Sequence, residues 1–234
     1  MTTDQQRIQE LFDDPDAKPL VVGTGERVAD LLRSYLTEGR ILPGTRMSEE
    51  AFARALSVSR NTLREAFRLL AHEGLLVHKF NRGVFVRELT SADISDIYQF
   101  RKMVELGAIR QHRSHTPTRL HAVRLAVTNG LVAAEQDDWR AVGTANMNFH
   151  MAITALAGND RMNATMRQLL AEMRLAFVLM QPIKDFHSPH LALNVEICEL
   201  LERGNWTAAA DRLDAYLDTA CQQLLTAFDR AAGQ

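Results

Sequence analysis

The spacing of apolar residues along the chain predicts two regions that meet near residue 90. In the first region, apolar residues recur every three or four positions in three short stretches, which is the pattern of amphipathic helices. Ser48 precedes the second stretch and Gly74 follows the third, as is typical of a helix N-cap and a helix stop. Two short apolar runs then flank an Asn/Gly turn and predict a β-hairpin. The predicted elements are helices over residues 24–38, 48–56 and 59–73 and strands over 75–79 and 84–87.

The second region shows only helical periodicity, which breaks at turn residues such as Pro117, Gly158 and Gly204. Six helices are predicted, over residues 92–114, 117–135, 138–157, 160–180, 190–203 and 205–231. We therefore predict a mostly α protein, with an N-terminal winged helix-turn-helix (three helices plus a β-hairpin) followed by an all-α helical bundle. The predicted domains are an N-terminal arm over residues 1–20, the winged helix-turn-helix over 21–88 and the helical bundle over 91–232.

The composition is typical of an ordinary globular protein, with 46% hydrophobic and 24% charged residues. No apolar run approaches the ~20 residues that a transmembrane helix needs. The first twenty residues are acidic and interrupted by prolines, so they lack the features of a secretory signal. Two cysteines, Cys198 and Cys221, are too few for a disulfide framework and suit a reducing compartment. These features predict a cytoplasmic protein that does not enter the membrane.

Basic residues concentrate in the first region, although the whole chain has a formal net charge of −2. Residues 20–90 contain 11 Lys and Arg against 8 Asp and Glu, whereas the segments on both sides carry net negative charge. This modest excess permits contact with the phosphates of DNA but does not by itself require it.

The start of the third helix carries the side chains that best suit the reading of DNA. Arg60 and Arg64 are four positions apart and share one face near the helix N-terminus, the end that a recognition helix inserts into the major groove. Arginine can donate two hydrogen bonds to guanine, and Ser59, Asn61 and Thr62 offer short polar groups for phosphates or base edges. Two arginines alone would more often be a solvated helix face, but the order of elements around them favours DNA binding.

Residues 25–87 resemble the DNA-binding domain of GntR-type regulators. The motifs that carry this resemblance are Pro43-Gly44, Ser48-Glu49, Val58-Ser59-Arg60, Leu63-Arg64-Glu65-Ala66, Leu69, Glu73-Gly74-Leu75 and Asn81-Arg82-Gly83. The sequence departs from the family at Asn61-Thr62-Leu63, where threonine-proline-valine is more usual, and this bears on base preference rather than on fold. The resemblance implies that Arg60 and Arg64 read bases, that Arg46 contacts phosphate, and that the wing at the hairpin tip reaches toward the minor groove. Gly83 would let the backbone of that wing approach DNA closely.

The remainder of the chain, about residues 91–232, resembles the ligand-binding (FCD) domain of the FadR-like subgroup. The matching motifs are Phe100-Arg101-Lys102-Met103-Val104-Glu105 and Phe149-His150. The resemblance implies a homodimer whose affinity for DNA responds to a small molecule. Two recognition helices related by a two-fold axis would read a palindromic operator in double-stranded DNA.

Five polar side chains lie on otherwise apolar helix faces of the second region: Arg101, Asn146, His150, Asn194 and Tyr216. A buried polar group costs about 1–3 kcal/mol if it is unpaired, so these groups either pair with each other or surround a cavity that holds a polar ligand. Their number on four helices favours a pocket. Arg101 would anchor an organic acid, because guanidinium binds carboxylate bidentately, and Arg174 is a further candidate.

A divalent metal is implied for many members of the subgroup, held by an acidic residue four positions before the histidine of the Phe-His pair and by two further histidines. Asn146, His150, Asn194 and Tyr216 fall at those positions, and only His150 is a good ligand. We therefore predict no cofactor and the loss of the family metal site. His187 and His190 lie just upstream of Asn194 and leave a zinc or nickel site open as the alternative.

The chain lacks the sequence motifs of common enzyme classes. It contains no Gly-rich phosphate loop, no Gly-x-Ser-x-Gly, no His-Glu-x-x-His and no Cys-x-x-Cys, and His150 has no carboxylate at helical spacing. We therefore predict a DNA-binding transcription regulator that acts as a repressor, and not an enzyme. The alternatives are an architectural DNA-binding protein without an effector and a helical-bundle metalloenzyme.

Overall fold

The computed structural model describes residues 24–111, 117–177, 180 and 183–232. The chain divides into two compact units, of which the first ends at Glu88 and the second begins at Leu89. The arm predicted over residues 1–20 lies outside the described residues.

The first unit contains three helices and a hairpin. Its elements are α1 (Gly25–Thr37), α2 (Glu49–Ala55), α3 (Arg60–His72), β1 (Leu76–Lys79) and β2 (Gly83–Val86). Thr24, Ser48 and Ser59 cap the three helices, because each side-chain oxygen accepts a hydrogen bond from a backbone N–H in the first turn. Gly74, with φ of 77°, ends α3 in the left-handed conformation that glycine adopts without strain.

The hairpin is antiparallel, with Leu76 opposite Val86 and Lys79 opposite Gly83. Asn81 and Gly83 have positive φ values of 54° and 101°, which asparagine and glycine tolerate better than other residues. Leu76 and Val86 face the core of the unit, where both are buried. The first unit is therefore a winged helix-turn-helix, and this part of the predicted fold class is confirmed.

The second unit contains only helices among the residues that the structure describes. They are α4 (Ser91–Arg110), α5 (Pro117–Glu135), α6 (Trp139–Ala155), α7 (Asp160–Phe177), α8 (Ile183–Glu202) and α9 (Trp206–Ala232). Helix α6 packs against α4, α5, α7 and α8, and α9 packs against α4 and α8. The predicted all-α bundle is confirmed. None of the described helices is both long enough and apolar enough to cross a membrane.

Helix α8 begins at Ile183 rather than at residue 190, so the break predicted at Ser188-Pro189 is wrong. Pro189 lies inside the helix, where it lacks one backbone hydrogen bond. The extra turns are held by side-chain packing, since the ring of Phe186 lies 5.3 Å from that of Phe177. As a consequence, His187 and His190 belong to the same helix as Asn194.

Candidate DNA-binding surface and candidate effector site

The N-terminus of α3 exposes two of the residues predicted to read DNA and uses two others to form its cap. Ser59 Oγ accepts a hydrogen bond from the backbone N–H of Thr62 at 3.1 Å and lies 2.8 Å from Thr62 Oγ1. Arg60 and Asn61 are exposed and project from the same turn. The two hydroxyl groups therefore fix the start of the helix, whereas the side chains of Arg60 and Asn61 are exposed and take no part in the cap.

Three arginines form an exposed stripe along α3, at positions Arg60, Arg64 and Arg68. They are spaced four residues apart and so share one helix face. Arg64 Nε donates to Glu49 Oε2 at 2.7 Å, and the two side chains are 60% and 35% exposed. Arg68 is absent from the residues predicted from sequence, although the four-residue spacing that links Arg60 and Arg64 also reaches it.

The wing lies beside the remaining predicted contact, Arg46. The backbone of Arg46 bridges to Phe85 in β2. A Cβ added at Gly83 would lie 3.8 Å from Arg46 Nε, so this guanidinium runs alongside the wing. Asn81, Arg82 and Gly83 are all exposed, and the structure thus brings Arg46 and these three residues onto one basic edge.

In the second unit, a chain of hydrogen bonds begins at Arg101 on α4. Arg101 Nε donates to Glu105 Oε1 at 2.9 Å. The other carboxylate oxygen of Glu105 lies 2.7 Å from His150 Nδ1 on α6. His150 Nε2 in turn lies 3.1 Å from the hydroxyl of Tyr216 on α9. All four side chains are at most 3% exposed, so water does not compete for these bonds.

The chain of hydrogen bonds continues from Tyr216 to a pair of asparagines. The Tyr216 hydroxyl donates to Asn146 Oδ1 at 2.9 Å, and Asn194 Nδ2 on α8 donates to the same oxygen at 2.7 Å. We call Arg101, Glu105, Asn146, His150, Asn194 and Tyr216 the buried network. It joins four helices and contains five of the six residues predicted to bind an effector.

The sixth predicted residue, Arg174, forms no hydrogen bond or ion pair with the described residues of the buried network. It is half-buried on α7, and burial lowers the pKa of its guanidinium. The neighbouring Met173 does contact the network, because its sulfur accepts from Arg101 Nη1 at 3.3 Å. Most of the predicted set therefore comes together in space, and Arg174 stands apart from it.

Glu105 is the member of the network that sequence reasoning missed. The statement that His150 lacks a carboxylate at helical spacing holds within α6, but the carboxylate that orients it comes from α4. A signal was present in the sequence, since Glu105 follows Arg101 by four residues, the spacing of an ion pair on one helix face. The helix packing that brings Glu105 to His150 is a tertiary feature.

Charges in the buried network are fixed by burial and by the Arg101–Glu105 pair. Burial alone would raise the pKa of Glu105, but the hydrogen-bonded His150 and Arg101 outweigh it and hold that pKa below its usual value. Burial lowers the pKa of His150 despite the opposing effect of Glu105. A neutral His150 donates from Nδ1 to ionised Glu105 and presents a lone pair at Nε2. The Tyr216 hydroxyl then has two acceptors, His150 Nε2 and Asn146 Oδ1, for its single proton.

The residues at the family's metal positions do not fit a divalent metal. His150 Nδ1 is engaged by Glu105, Asn146 Oδ1 accepts from Asn194 Nδ2, and the one proton of the Tyr216 hydroxyl lies between His150 Nε2 and Asn146 Oδ1. A tyrosine and two asparagines are poor neutral ligands for a transition metal. Throughout residues 24–111, 117–177 and 183–232, no three His, Cys, Asp or Glu side chains form a group that could hold a metal ion.

The two histidines at the start of α8 are buried and neutral. Burial lowers the pKa of both His187 and His190 to about 4. His187 packs against α6, where a Cβ at Gly143 would lie 2.6 Å from its Nε2. The ring of His190 stacks on that of Tyr216 with centroids 4.7 Å apart, and its Nε2 lies 3.0 Å from Gln223 Oε1. His190 therefore extends the polar cluster beyond the predicted residues.

A capped third helix with exposed arginines, followed by a basic wing, defines the first unit as a winged-helix DNA-binding module. Comparison with known families gives the same class. The profile of bacterial regulatory proteins of the gntR family matches residues 24–86, and the profile of the FCD domain matches residues 96–219. The chain therefore belongs to the GntR family of transcriptional regulators, with an FCD domain as its second unit.

Named relatives are also transcriptional regulators. The Nta operon transcriptional regulator of Aminobacter aminovorans is 30% identical over 155 residues, which cover 64% of this chain and 71% of the relative. The gluconate operon transcriptional repressor of Bacillus subtilis is 40% identical over 82 residues, 35% of this chain and 33% of the relative. The crystal structure of a GntR regulator from Rhodococcus sp. RHA1 has a TM-score of 0.79 at 39% identity, covering 86% of this chain and 97% of that chain.

Proposed function

We propose that this chain is a homodimeric repressor that binds a palindromic operator in the cytoplasm and changes its affinity for DNA when a small organic acid binds in the second unit. The observation that carries the proposal concerns the buried guanidinium of Arg101, in which some N–H groups have hydrogen-bond partners among the described residues and one nitrogen has none. Its Nε donates to Glu105 Oε1, its Nη1 donates to the sulfur of Met173, and its guanidinium carbon lies 4.9 Å from the centre of the Tyr98 ring, whereas its Nη2 has no hydrogen-bond partner in the described part of the chain. A guanidinium N–H that is 2% exposed and lacks an acceptor supports a site for a ligand group that accepts hydrogen bonds, such as a carboxylate.

The proposed contacts with DNA divide into base reading and phosphate contact. Arg60 and Arg64 would donate to base edges in the major groove, with Asn61 beside them. Arg64 would exchange its bond to Glu49 for DNA, which is inexpensive because exposed ion pairs contribute only about 0–1 kcal/mol. A further set would contact phosphates: Arg46, Arg68, Arg82 and the backbone of the wing. One recognition helix reads few base pairs, so a dimer on a palindrome supports specificity.

The proposed effector site is tested with a variant that leaves no buried charge. Arg101→Gln alone would strand Glu105, whereas the double variant Arg101→Gln/Glu105→Gln removes both charges of the pair together. A screen of small carboxylates by thermal shift identifies acids that stabilise the parent protein. The double variant should stay folded and lose that response, while Arg174→Gln, the matched control, should keep it. A response retained in the double variant would contradict the assignment of Arg101.

The operator is found by selecting sequences from random double-stranded DNA with the purified protein. We expect the selected sites to have two-fold symmetry, and we expect the stabilising acid to change operator affinity in fluorescence anisotropy. Asymmetric sites bound by one chain each would contradict the dimeric part of the proposal. Sedimentation of the protein–DNA complex measures this stoichiometry directly.

A second candidate function is an architectural DNA-binding protein without an effector. The observation that favours it is the degree to which the buried network satisfies itself, since Asn146, His150 and Tyr216 all find partners within the protein. This alternative predicts that no carboxylate stabilises the chain or alters its affinity for DNA. The unpaired Nη2 of Arg101 favours the first candidate.

A further inference from the structure

The tip of the hairpin exposes an apolar ring that the polar and basic residues of the wing do not account for. Phe80 is 90% exposed, more than any other large hydrophobic side chain in the described part of the chain, the next being Met103 at 71%. It follows the last residue of β1 and precedes the Asn81-Arg82-Gly83 motif. Single exposed apolar side chains are common on protein surfaces, so the position of this ring carries the argument.

The turn of the hairpin holds Phe80 in a defined place. The backbone N–H of Arg82 donates to the carbonyl oxygen of Lys79 at 3.0 Å and closes a β-turn. Asn81 follows Phe80 in this turn with a φ of 54°, in the left-handed region that asparagine tolerates. Lys79 and Gly83 pair directly below it in the antiparallel register. The ring therefore stands at the closed end of a paired hairpin, and a partner that covers it has little backbone left to order.

Basic side chains lie on the same edge as this ring. Arg82 is exposed in the same turn, and the guanidinium of Arg46 runs alongside Gly83. An apolar protein surface would cover the ring of Phe80 and leave these cations without counter-charge. The minor groove of DNA offers both features, because phosphates line its two edges and the sugars and base edges form its interior. The charges around the ring therefore favour DNA as the partner that covers it.

The chemistry of a phenyl ring determines how it can read DNA. The ring carries no hydrogen-bond donor or acceptor, so it cannot recognise base edges as arginine or asparagine does. Apolar side chains, phenylalanine among them, instead enter between neighbouring base pairs from the minor groove, partly unstack them and bend the duplex. The pyrimidine–purine steps TA and CA/TG unstack most easily. A ring at the tip of the wing therefore favours a step of this kind beneath it.

We propose that Phe80 is a wedge that enters the minor groove and selects a pyrimidine–purine step beside the bases read by α3. This inference rests on the proposed operator binding and adds a determinant of specificity to the wing. Arg46 and Arg82 hold the hairpin against the phosphates, whereas Phe80 determines which base step lies beneath the tip. The wing then contributes to sequence preference without a hydrogen bond from this ring to a base.

Selection of operators from random double-stranded DNA, repeated with the Phe80→Ala variant of the full chain, tests the inference. We expect the parent to select a TA, CA or TG step at a fixed distance from the bases that α3 reads, and the variant to lose only that step. In fluorescence anisotropy, Phe80→Ala should weaken binding to the selected operator by about fivefold or more, the lower end of the effect of an aromatic contact with a base. The slope of log affinity against log salt should stay unchanged, because no charge is removed.

Two controls separate the wedge from a general loss of affinity. On an operator whose step is replaced by GC, the parent and Phe80→Ala should bind alike. Met103→Ala makes a similar exposed apolar change in the second unit and should bind the selected operator as the parent does. Because Phe80 is so exposed, Phe80→Ala should keep the melting temperature of the parent.

2-Aminopurine placed in the selected step reports the wedge directly, since its fluorescence rises when the base unstacks. The parent should brighten this probe and Phe80→Ala should not. A step preference retained in Phe80→Ala, an equal loss of affinity on every sequence, or a probe that the parent leaves dark would overturn the wedge and leave operator binding standing. Unchanged DNA binding together with lost binding to vesicles of phosphatidylglycerol would assign the ring to a lipid surface instead. If the parent enriches no sequence, the proposed operator binding fails together with this inference.

Discussion

Each unit of this regulator holds an arginine–glutamate pair, and the two pairs differ mainly in burial. In the DNA-binding unit, Arg64 Nε donates to Glu49 at 2.7 Å, with side chains 60% and 35% exposed. In the FCD unit, Arg101 Nε donates to Glu105 at 2.9 Å, with side chains 2% and 0% exposed. The hydrogen bonds are nearly alike, so any difference in their roles comes from the surroundings.

That difference separates a contact that can be exchanged from one that cannot. Water and salt screen an exposed pair, which contributes about 0–1 kcal/mol and is readily replaced by a base or phosphate. A buried pair whose partner is removed leaves an uncompensated charge and costs about 3–5 kcal/mol. The exposed Arg64 can therefore exchange Glu49 for another partner, whereas the buried Arg101 keeps Glu105.

The largest predicted effect breaks the buried pair. Glu105→Gln should lower the free energy of unfolding by about 3–5 kcal/mol, because Arg101 stays charged in the interior without its partner. Urea unfolding followed by circular dichroism measures this loss. The matched variant Glu49→Gln removes the exposed partner and should change the free energy of unfolding by less than about 1 kcal/mol. If the two variants lost similar amounts of unfolding free energy, burial would not explain a difference between the two ion pairs.

The next predicted effect is a loss of stability at low pH, and it comes from buried histidines of the FCD unit. His187 and His190 have pKa values of about 4 in the folded chain, against about 6.5 when unfolded. Since the folded-state values are the lower ones, their contribution is present above pH 6.5 and is lost as the pH falls toward 4, by on the order of 2–3 kcal/mol for each histidine. The depressed pKa of Glu105 adds a further loss at lower pH.

Urea midpoints measured from pH 7.5 down to 4.5 test this dependence. His190→Phe should flatten the slope by up to about 1.4 kcal/mol per pH unit, the effect of one proton. His121 is exposed, and His121→Asn is the matched control, expected to leave the slope unchanged. A slope that His190→Phe fails to reduce would mean that the histidine is not held neutral by burial.

The DNA-binding unit was largely predictable from sequence because its determinants are local. Ser48 and Ser59 cap helices through hydrogen bonds within one turn, and Gly74 ends a helix through its own backbone conformation. Such signals depend only on residues that are neighbours in sequence, so they can be recognised before the packing of the chain is known. The same locality places Arg60 and Arg64 on one exposed face.

The buried network was predictable only in part because its bonds join helices distant in sequence. Periodicity placed polar residues on inner faces, but the partner of His150 comes from Glu105, 45 residues earlier. Pro189 suggested a helix break, and aromatic packing of Phe186 overrode that local preference. Which polar atoms remain unpaired, such as Asn194 Oδ1, follows from the packed arrangement alone.

A smaller effect sharpens the role of the exposed arginines. Arg60→Ala and Arg64→Ala should each weaken operator binding by about 1–3 kcal/mol and relax the base preference at one position. Fluorescence anisotropy with the selected operator and with single-base variants measures both changes. Arg54, which is exposed on α2 and paired with Glu50, gives the control variant Arg54→Ala. If Arg60→Ala weakens binding to all DNA sequences by the same factor, that arginine contacts phosphate and not a base.

The smallest effect concerns the wing, where the expected contact is electrostatic. Arg82 is exposed at the hairpin tip and forms no ion pair with any residue in the described part of the chain. Arg82→Ala should remove one phosphate contact, so affinity should fall by a similar factor for every DNA sequence, and the slope of log affinity against log salt should decrease by about 0.9. Titrations at several salt concentrations measure this slope for operator and random DNA. A loss confined to the operator, with the slope unchanged, would instead place Arg82 at base edges in the minor groove, where its role would resemble that of the α3 arginines.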